Sequence, residues 1–173
     1  MDEEFARIRG YLQVQAAKLT VAELVAKVRA DLQQVKSAIE TFPASDWEKR
    51  PADEEWSANE VAAHLAGSSR SVADGIVAAI EGGQKPDRIE DVMQHSDDHR
   101  GPAEWWRVIE SEREALFTRL ATVKGEEHLD IKWRHPMFGD LNWREWLLFT
   151  RIHDLDHAHQ IEAVAQALAA GSR

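Results

Sequence analysis

Apolar residues recur along most of this chain at intervals of three and four positions. That spacing places them on one face of an α-helix. The stripe is shorter over residues 3–18 and longer in four later segments. We find no run of residues that alternates apolar and polar positions in the way a β-strand does, so we expect no β-strand. The pattern therefore predicts an all-α protein with four long helices and one short N-terminal helix.

Capping signals mark where the long helices begin and end. A capping box pairs a Ser, Thr or Asn with an acidic residue three positions later. Proline favours the first helical turn, and glycine favours the end of a helix. The boxes are Thr20–Glu23, Ser57–Glu60 and Asn142–Glu145, the proline start is Gly101-Pro102, and the predicted ends are Phe42-Pro43, Gly82-Gly83 and about residue 169.

The connections between these helices are long, at 42–56, 82–101 and 123–141. Up-and-down bundles use loops of roughly 2–8 residues, whereas longer segments can cross the full length of a bundle. We therefore predict a four-helix bundle with at least one overhand connection. No repeat or clean domain boundary interrupts it, so residues 1–173 form a single domain with a core at about 20–168.

Composition narrows the classes of function. The chain has 173 residues and a formal net charge of −10, which argues against a nucleic-acid partner. No apolar run has the length of a membrane span. The N-terminus is acidic and lacks the basic segment and following apolar segment of a signal peptide. We expect a cytoplasmic protein without a membrane partner. Since there is no cysteine, a metal must be bound by His, Asp or Glu, and any thiol chemistry needs an external thiol.

The histidine pair His153 and His157 is the strongest chemical signal. The two residues lie four positions apart on the apolar stripe of the last helix and therefore share one face. Buried imidazoles need polar partners, and a divalent metal satisfies both. Catalytic zinc sites commonly take three protein ligands. The best third ligand is His64, which lies on the core stripe of another helix.

Three other histidines are weaker candidates for such a site. His95 and His99 have the same spacing, but they lie in a polar stretch that favours a solvated loop. His135 precedes a proline, and we place it in a turn that approaches one end of the bundle. We interpret His128 and His159 as structural or exposed residues.

Two charged residues are candidates for catalytic roles. Arg113 falls on the buried side of its helix, where it is either an ion-paired arginine or a clamp for a substrate carboxylate or phosphate. Asp154 follows the first histidine of the pair. It is a candidate general base, but we favour a role beside the metal ligands or at the surface.

Three segments together resemble the DinB/YfiT-like superfamily. They are residues 56–65, which contain His64, residues 135–146, which form a proline–glycine turn, and the pair His153/His157. The resemblance implies an up-down-down-up four-helix bundle, often dimeric, with Zn²⁺ or Ni²⁺ held by His64, His153 and His157. It also implies a small-molecule substrate and, in characterised relatives, a thiol cosubstrate of the bacillithiol or mycothiol type.

Three hypotheses about function follow. We favour a metal-dependent S-transferase, in which the metal lowers the pKa of an external thiol. The first alternative is a metal-dependent hydrolase, in which the metal activates water. The second is a non-catalytic or stress-related metal-binding bundle.

A second, shorter apolar stripe on the last helix bears on the assembly of the protein. It consists of Leu148, Ile152 and Leu155. A helix that is apolar on two sides must be covered on both. The N-terminal helix or a second subunit could cover this stripe, and we favour a homodimer.

Overall fold

A computed structural model describes residues 3–86 and 96–171 of the chain. Within these ranges it contains five helices and one hairpin. The elements are α1 (Glu3–Lys18), α2 (Val21–Thr41), a 3₁₀ turn (Ala44–Asp46), α3 (Ala58–Gly82), α4 (Pro102–Leu120), β1 (Lys132–His135), β2 (Gly139–Asn142) and α5 (Trp143–Gly171). The four-helix bundle predicted from the sequence is confirmed.

The capping residues act as predicted. Thr20 and Ser57 each accept a hydrogen bond from the backbone of the glutamate three positions later, and each glutamate reaches back to the capping residue. Gly83 ends α3 with φ +57, in the left-handed region that glycine adopts without strain. Glu145 and Asn142 close the third box at the start of α5. Local sequence therefore sets the bounds of the helices that bear the histidines.

The long helices form a ring around the core. Helix α5 packs between α2 and α3, and α4 packs between the same two helices from the other side. Helices α4 and α5 thus face each other across the bundle. Helix α1 packs on α5, and its Leu12 belongs to the apolar cluster that also includes Leu148 of the second stripe and has Ile152 packed against it. The predicted homodimer stays a prediction.

The apolar core has two halves along the bundle axis. One cluster contains Val28, Val72, Leu116 and Leu148, and the other contains Leu32 and further residues towards the opposite end. Along the sequence of each helix in the ring, one polar residue lies between members of the two clusters. We call these four residues the polar layer: Asp31, Ser69, Arg113 and Asp154. This layer lies at the level of the α5 histidines.

The expectation that the chain has no strand is wrong. Strands β1 and β2 pair antiparallel, with His135 opposite Gly139. Gly139, the first residue of β2, has φ +74, in the left-handed region that glycine adopts without strain. Along β1 exposed and buried residues alternate, and the buried Trp133 stacks on Trp146 of α5 with ring centroids 5.4 Å apart. The hairpin exists because its buried face packs on the bundle.

None of the described helices combines the length and apolar character that a membrane-crossing segment requires.

Candidate metal centre

Three histidine side chains from two helices converge on one point. His64 comes from α3, and His153 and His157 come from successive turns of α5. The Nε2 atom of His153 lies 3.2 Å from Nε2 of His64 and 3.1 Å from Nε2 of His157. The ligand nitrogens of the three residues all lie within 4.8 Å of one another. The sequence named these three residues, and the structure brings them together.

These separations fit a bound divalent ion. Nitrogen ligands at 2.0–2.1 Å in a tetrahedral arrangement lie about 3.3 Å from each other. Neutral imidazole nitrogens that face one another at this distance repel unless a proton or a cation lies between them. Imidazole suits Zn²⁺, Ni²⁺ and other borderline ions. The donor set therefore suits such a metal and would supply three of the four ligands of a tetrahedral ion.

The surroundings of His153 favour its neutral form, which is the form that binds metals. Burial lowers the pKa of His153 well below its usual value, and the neighbouring His157 and His64 lower this pKa further. Aromatic rings border the histidines. Trp56 packs on His64 with ring centroids 5.3 Å apart, and Phe149 packs on His153 at 5.8 Å.

Gln160 orients His157, and the sequence analysis missed it. Its Oε1 atom lies 2.7 Å from Nδ1 of His157. Since the amide oxygen can only accept, Nδ1 of His157 donates the proton, and its Nε2 presents a lone pair to the other histidines. The available signal was the i, i+3 spacing from His157 to Gln160 on one helix.

Arg113 and Asp154 form a buried ion pair. The Nη2 atom of Arg113 donates to Oδ1 of Asp154 at 2.5 Å, and the side chains are 2% and 0% exposed. Burial raises the pKa of Asp154, and the Arg113 guanidinium opposes that rise. This is the ion-paired arrangement that the sequence left open for Arg113. Both residues are therefore buried in the core and bound to each other.

Among the described residues, the other histidines do not belong to the group formed by His64, His153 and His157. His135 is buried in β1, where its Nδ1 accepts hydrogen bonds from the backbone N–H groups of Met137 and Phe138 at 3.1 and 3.3 Å. His99 is exposed, and its Nδ1 lies 3.5 Å from Glu48. His95 lies outside the described residues, so its pairing with His99 stays a prediction. His128 and His159 are exposed, as expected.

Comparison with known proteins decides the family. A family model described as the DinB superfamily matches residues 24–161. The chain belongs to the DinB superfamily. The match spans all three histidines, the hairpin and most of the four long helices. No curated protein matches the sequence.

Solved structures of three other proteins share this fold. YfiT from Bacillus subtilis, described as a probable metal-dependent hydrolase with an unusual four-helix bundle topology, is 15% identical, with TM-score 0.64 over 86% of this chain and 87% of YfiT. The four-helix bundle protein TT2238 is 17% identical, with TM-score 0.62 over 83% and 99% of the two chains. A mycothiol-dependent maleylpyruvate isomerase is 13% identical, with TM-score 0.63 over 87% of this chain and 64% of the isomerase. At these identities the similarity shows the fold alone.

Proposed function

We propose that this protein is a divalent-metal-dependent S-transferase that joins a low-molecular-weight thiol, through its sulfur, to an electrophile. The observation that supports it is the convergence of three imidazole nitrogens from α3 and α5. His64, His153 and His157 would hold the ion, which we propose to be zinc or nickel. Once bound, the ion would lower the pKa of a thiol or a water molecule and so supply a nucleophile near neutral pH.

The environment of Asp154 and one structural comparison favour a thiol over water as the nucleophile. Since the chain has no cysteine, that thiol would come from solution. Asp154, the carboxylate beside the ligands in sequence, is fully buried and bound to Arg113, which leaves it poorly placed to take a proton from water. The mycothiol dependence of the structurally similar isomerase adds support.

The transfer itself needs little from the protein beyond the metal site. The thiol loses its proton to solvent, its sulfur forms a bond to an electrophilic carbon, and the leaving group departs with the electron pair. Trp56 and Phe149 border the histidines with apolar rings. Such rings limit water around the nucleophile and suit an apolar electrophile.

Activity with a thiol tests this proposal directly. We expect the zinc- or nickel-loaded protein to accelerate conjugation of bacillithiol or mycothiol with chlorodinitrobenzene above the uncatalysed rate. Chelation of the metal should abolish the acceleration. A metal-loaded protein that is inactive with both thiols, with coenzyme A and with cysteine, across several electrophiles, would contradict the proposal.

Metal-dependent hydrolysis is the second candidate. It is supported by the description of the structurally similar YfiT as a probable metal-dependent hydrolase. Turnover of ester or amide substrates by the metal-loaded protein without any thiol would favour it. A saturated ion with no exchangeable water and no turnover would instead favour a non-catalytic metal-binding bundle.

Replacement of Gln160 should weaken metal binding. In Gln160→Leu, His157 loses the acceptor that fixes its tautomer, and outer-shell partners of this kind contribute about 10–100-fold to metal affinity. We expect a rise of that size in the Kd for Zn²⁺, measured by competition with a chromophoric chelator. Gln160→Glu keeps an acceptor and should retain tight binding.

Gln166→Leu is the matched control for this prediction, because Gln166 is exposed on the same helix. It should bind zinc as the wild type does. Equal affinity in Gln160→Leu and Gln166→Leu would show that the Gln160 hydrogen bond does not contribute to the site.

A further inference from the structure

The ion pair between Arg113 and Asp154 crosses the middle of the bundle. Arg113 belongs to α4 and Asp154 to α5, and these helices face each other with α2 and α3 between them. Arg113 lies between Ile109 of one apolar cluster and Leu116 of the other. The long arginine side chain therefore joins two opposite helices through the polar layer.

Burial of these two charged side chains in the core has a high desolvation cost. The two side chains are 2% and 0% exposed, yet Nε and Nη1 of Arg113 and Oδ2 of Asp154 have no hydrogen-bond partner among the described residues. Ser69, the buried member of the polar layer on α3, has an Oγ without a hydrogen-bond partner among the described residues. Buried ion pairs with incomplete hydrogen bonding are often less stabilising than apolar residues of similar size. Stability alone does not account for the pair.

The position of Asp154 on α5 suggests what the pair does instead. Asp154 follows His153 directly and precedes His157 by three residues. At 100° per residue, its side chain points about 60° away from His157 and 100° away from His153 around the helix axis. A bond that holds Asp154 towards α4 therefore fixes the rotation of α5, and this rotation sets where both imidazoles point.

We propose that Arg113 and Asp154 are positioning residues that hold His153 and His157 in register with His64 for metal binding. The inference rests on the proposed metal centre. It differs from a catalytic role, because neither residue touches the point where the three Nε2 atoms converge. Metal sites need their ligands fixed by surrounding contacts, and looser support lowers affinity.

The double variant Arg113→Met/Asp154→Leu tests this inference. It removes both charges together and fills the space with apolar atoms, so the metal-free protein should unfold at a temperature equal to or above that of the wild type. We expect its Kd for Co²⁺, used as a spectroscopic probe, to rise about 10–100-fold. The visible absorption bands of the bound Co²⁺ should also shift, since they report ligand geometry.

Two further variants define the controls. Arg29 and Glu114 form a similar pair between α2 and α4 on the surface, with side chains about half exposed, so Arg29→Gln/Glu114→Gln should bind Co²⁺ as the wild type does. Arg113→Lys keeps the positive charge, but the lysine side chain is shorter and ends in a single ammonium group instead of a planar guanidinium. Its affinity should lie between those of the wild type and the double variant.

The outcomes separate this inference from the proposed metal centre. If the wild type binds Co²⁺ and the double variant binds it with the same Kd and spectrum, the positioning role is wrong and the metal centre stands. A double variant that does not fold would assign the pair to the fold alone and would also overturn the inference. If the wild type itself binds no divalent metal, the metal centre fails first.

Discussion

Replacement of His153 by alanine should abolish stoichiometric metal binding. The Nε2 atom of His153 lies 3.2 Å from Nε2 of His64 and 3.1 Å from Nε2 of His157. His153 therefore lies next to both of the other proposed ligands. Loss of an outer-shell partner already costs about 10–100-fold in affinity, and loss of a ligand should cost more. Elemental analysis of the purified protein should give about one divalent ion per wild-type chain and almost none in His153→Ala or His64→Ala.

His159→Ala is the matched control for this experiment. His159 lies on the same helix, but its side chain is exposed, so its removal should leave the metal content unchanged. The metal-free wild type should also unfold at a lower temperature than the loaded protein, because an ion that binds only the folded state stabilises it. Stoichiometric metal in both His64→Ala and His153→Ala would show that the site lies elsewhere.

The parts of the fold that the sequence predicts are those with local causes. The box at Thr20 and Glu23 lies within one helical turn, and its signal does not depend on the rest of the molecule. The same holds for Gly83, whose positive φ ends α3. His153 and His157 are four residues apart on a helix, so their shared face is also a local property. His64 required one further step, the assumption that core positions of different helices meet.

The hairpin has a mainly non-local cause. Each strand has four residues, too few for alternation to stand out against the helical pattern on both sides. What holds the strands is the stacking of Trp133 on Trp146 and the burial of Leu141, both of which depend on α5. The resemblance predicts a proline–glycine turn within residues 135–146, but it does not predict the pairing of the strands on either side of that turn.

The partners of buried charges were also beyond the sequence. Arg113 and Asp154 were both named as candidates, but 41 residues separate them, and nothing local indicates that they meet. Only the order of helices around the core, with α4 opposite α5, brings the arginine to the carboxylate. Their burial changes the interpretation of Asp154 from a candidate base to a residue bound within the core.

A second buried arginine, Arg144, has three contacts that we expect to stabilise the fold. Of the replacements proposed here, that of Arg144 should lower the free energy of unfolding most. The sequence showed it only as an interior residue of a capping box. In the structure its Nε donates to the carbonyl of Ala16 at 2.8 Å, its Nη1 donates to that of Gly125 at 2.9 Å, and its Nη2 donates to that of Leu19. The guanidinium thereby satisfies carbonyl groups where α1 ends, and it attaches that end and the loop before β1 to the start of α5.

In Arg144→Met, these carbonyl groups lose their donors while Ala16 and Gly125 stay buried. We expect a loss of about 2–5 kcal/mol in the free energy of unfolding, because hydrogen bonds to charged groups contribute strongly and buried acceptors without donors are costly. For a chain of this size, that corresponds to a fall in Tm of roughly 5–15 °C. Circular dichroism of the metal-free protein would measure it.

Arg144→Lys distinguishes the shape of the guanidinium from its charge. A single ammonium group cannot donate in the three directions that these carbonyls require, so the lysine variant should recover less than half of the loss. Arg107→Met is the control, since Arg107 is exposed and its Nε donates to the carbonyl of Ala103 within its own helix. If Arg144→Met and Arg107→Met have the same Tm, the contacts of Arg144 do not stabilise the fold. If Arg144→Lys has the same Tm as the wild type, the positive charge alone accounts for the stabilisation and the planar shape of the guanidinium contributes nothing.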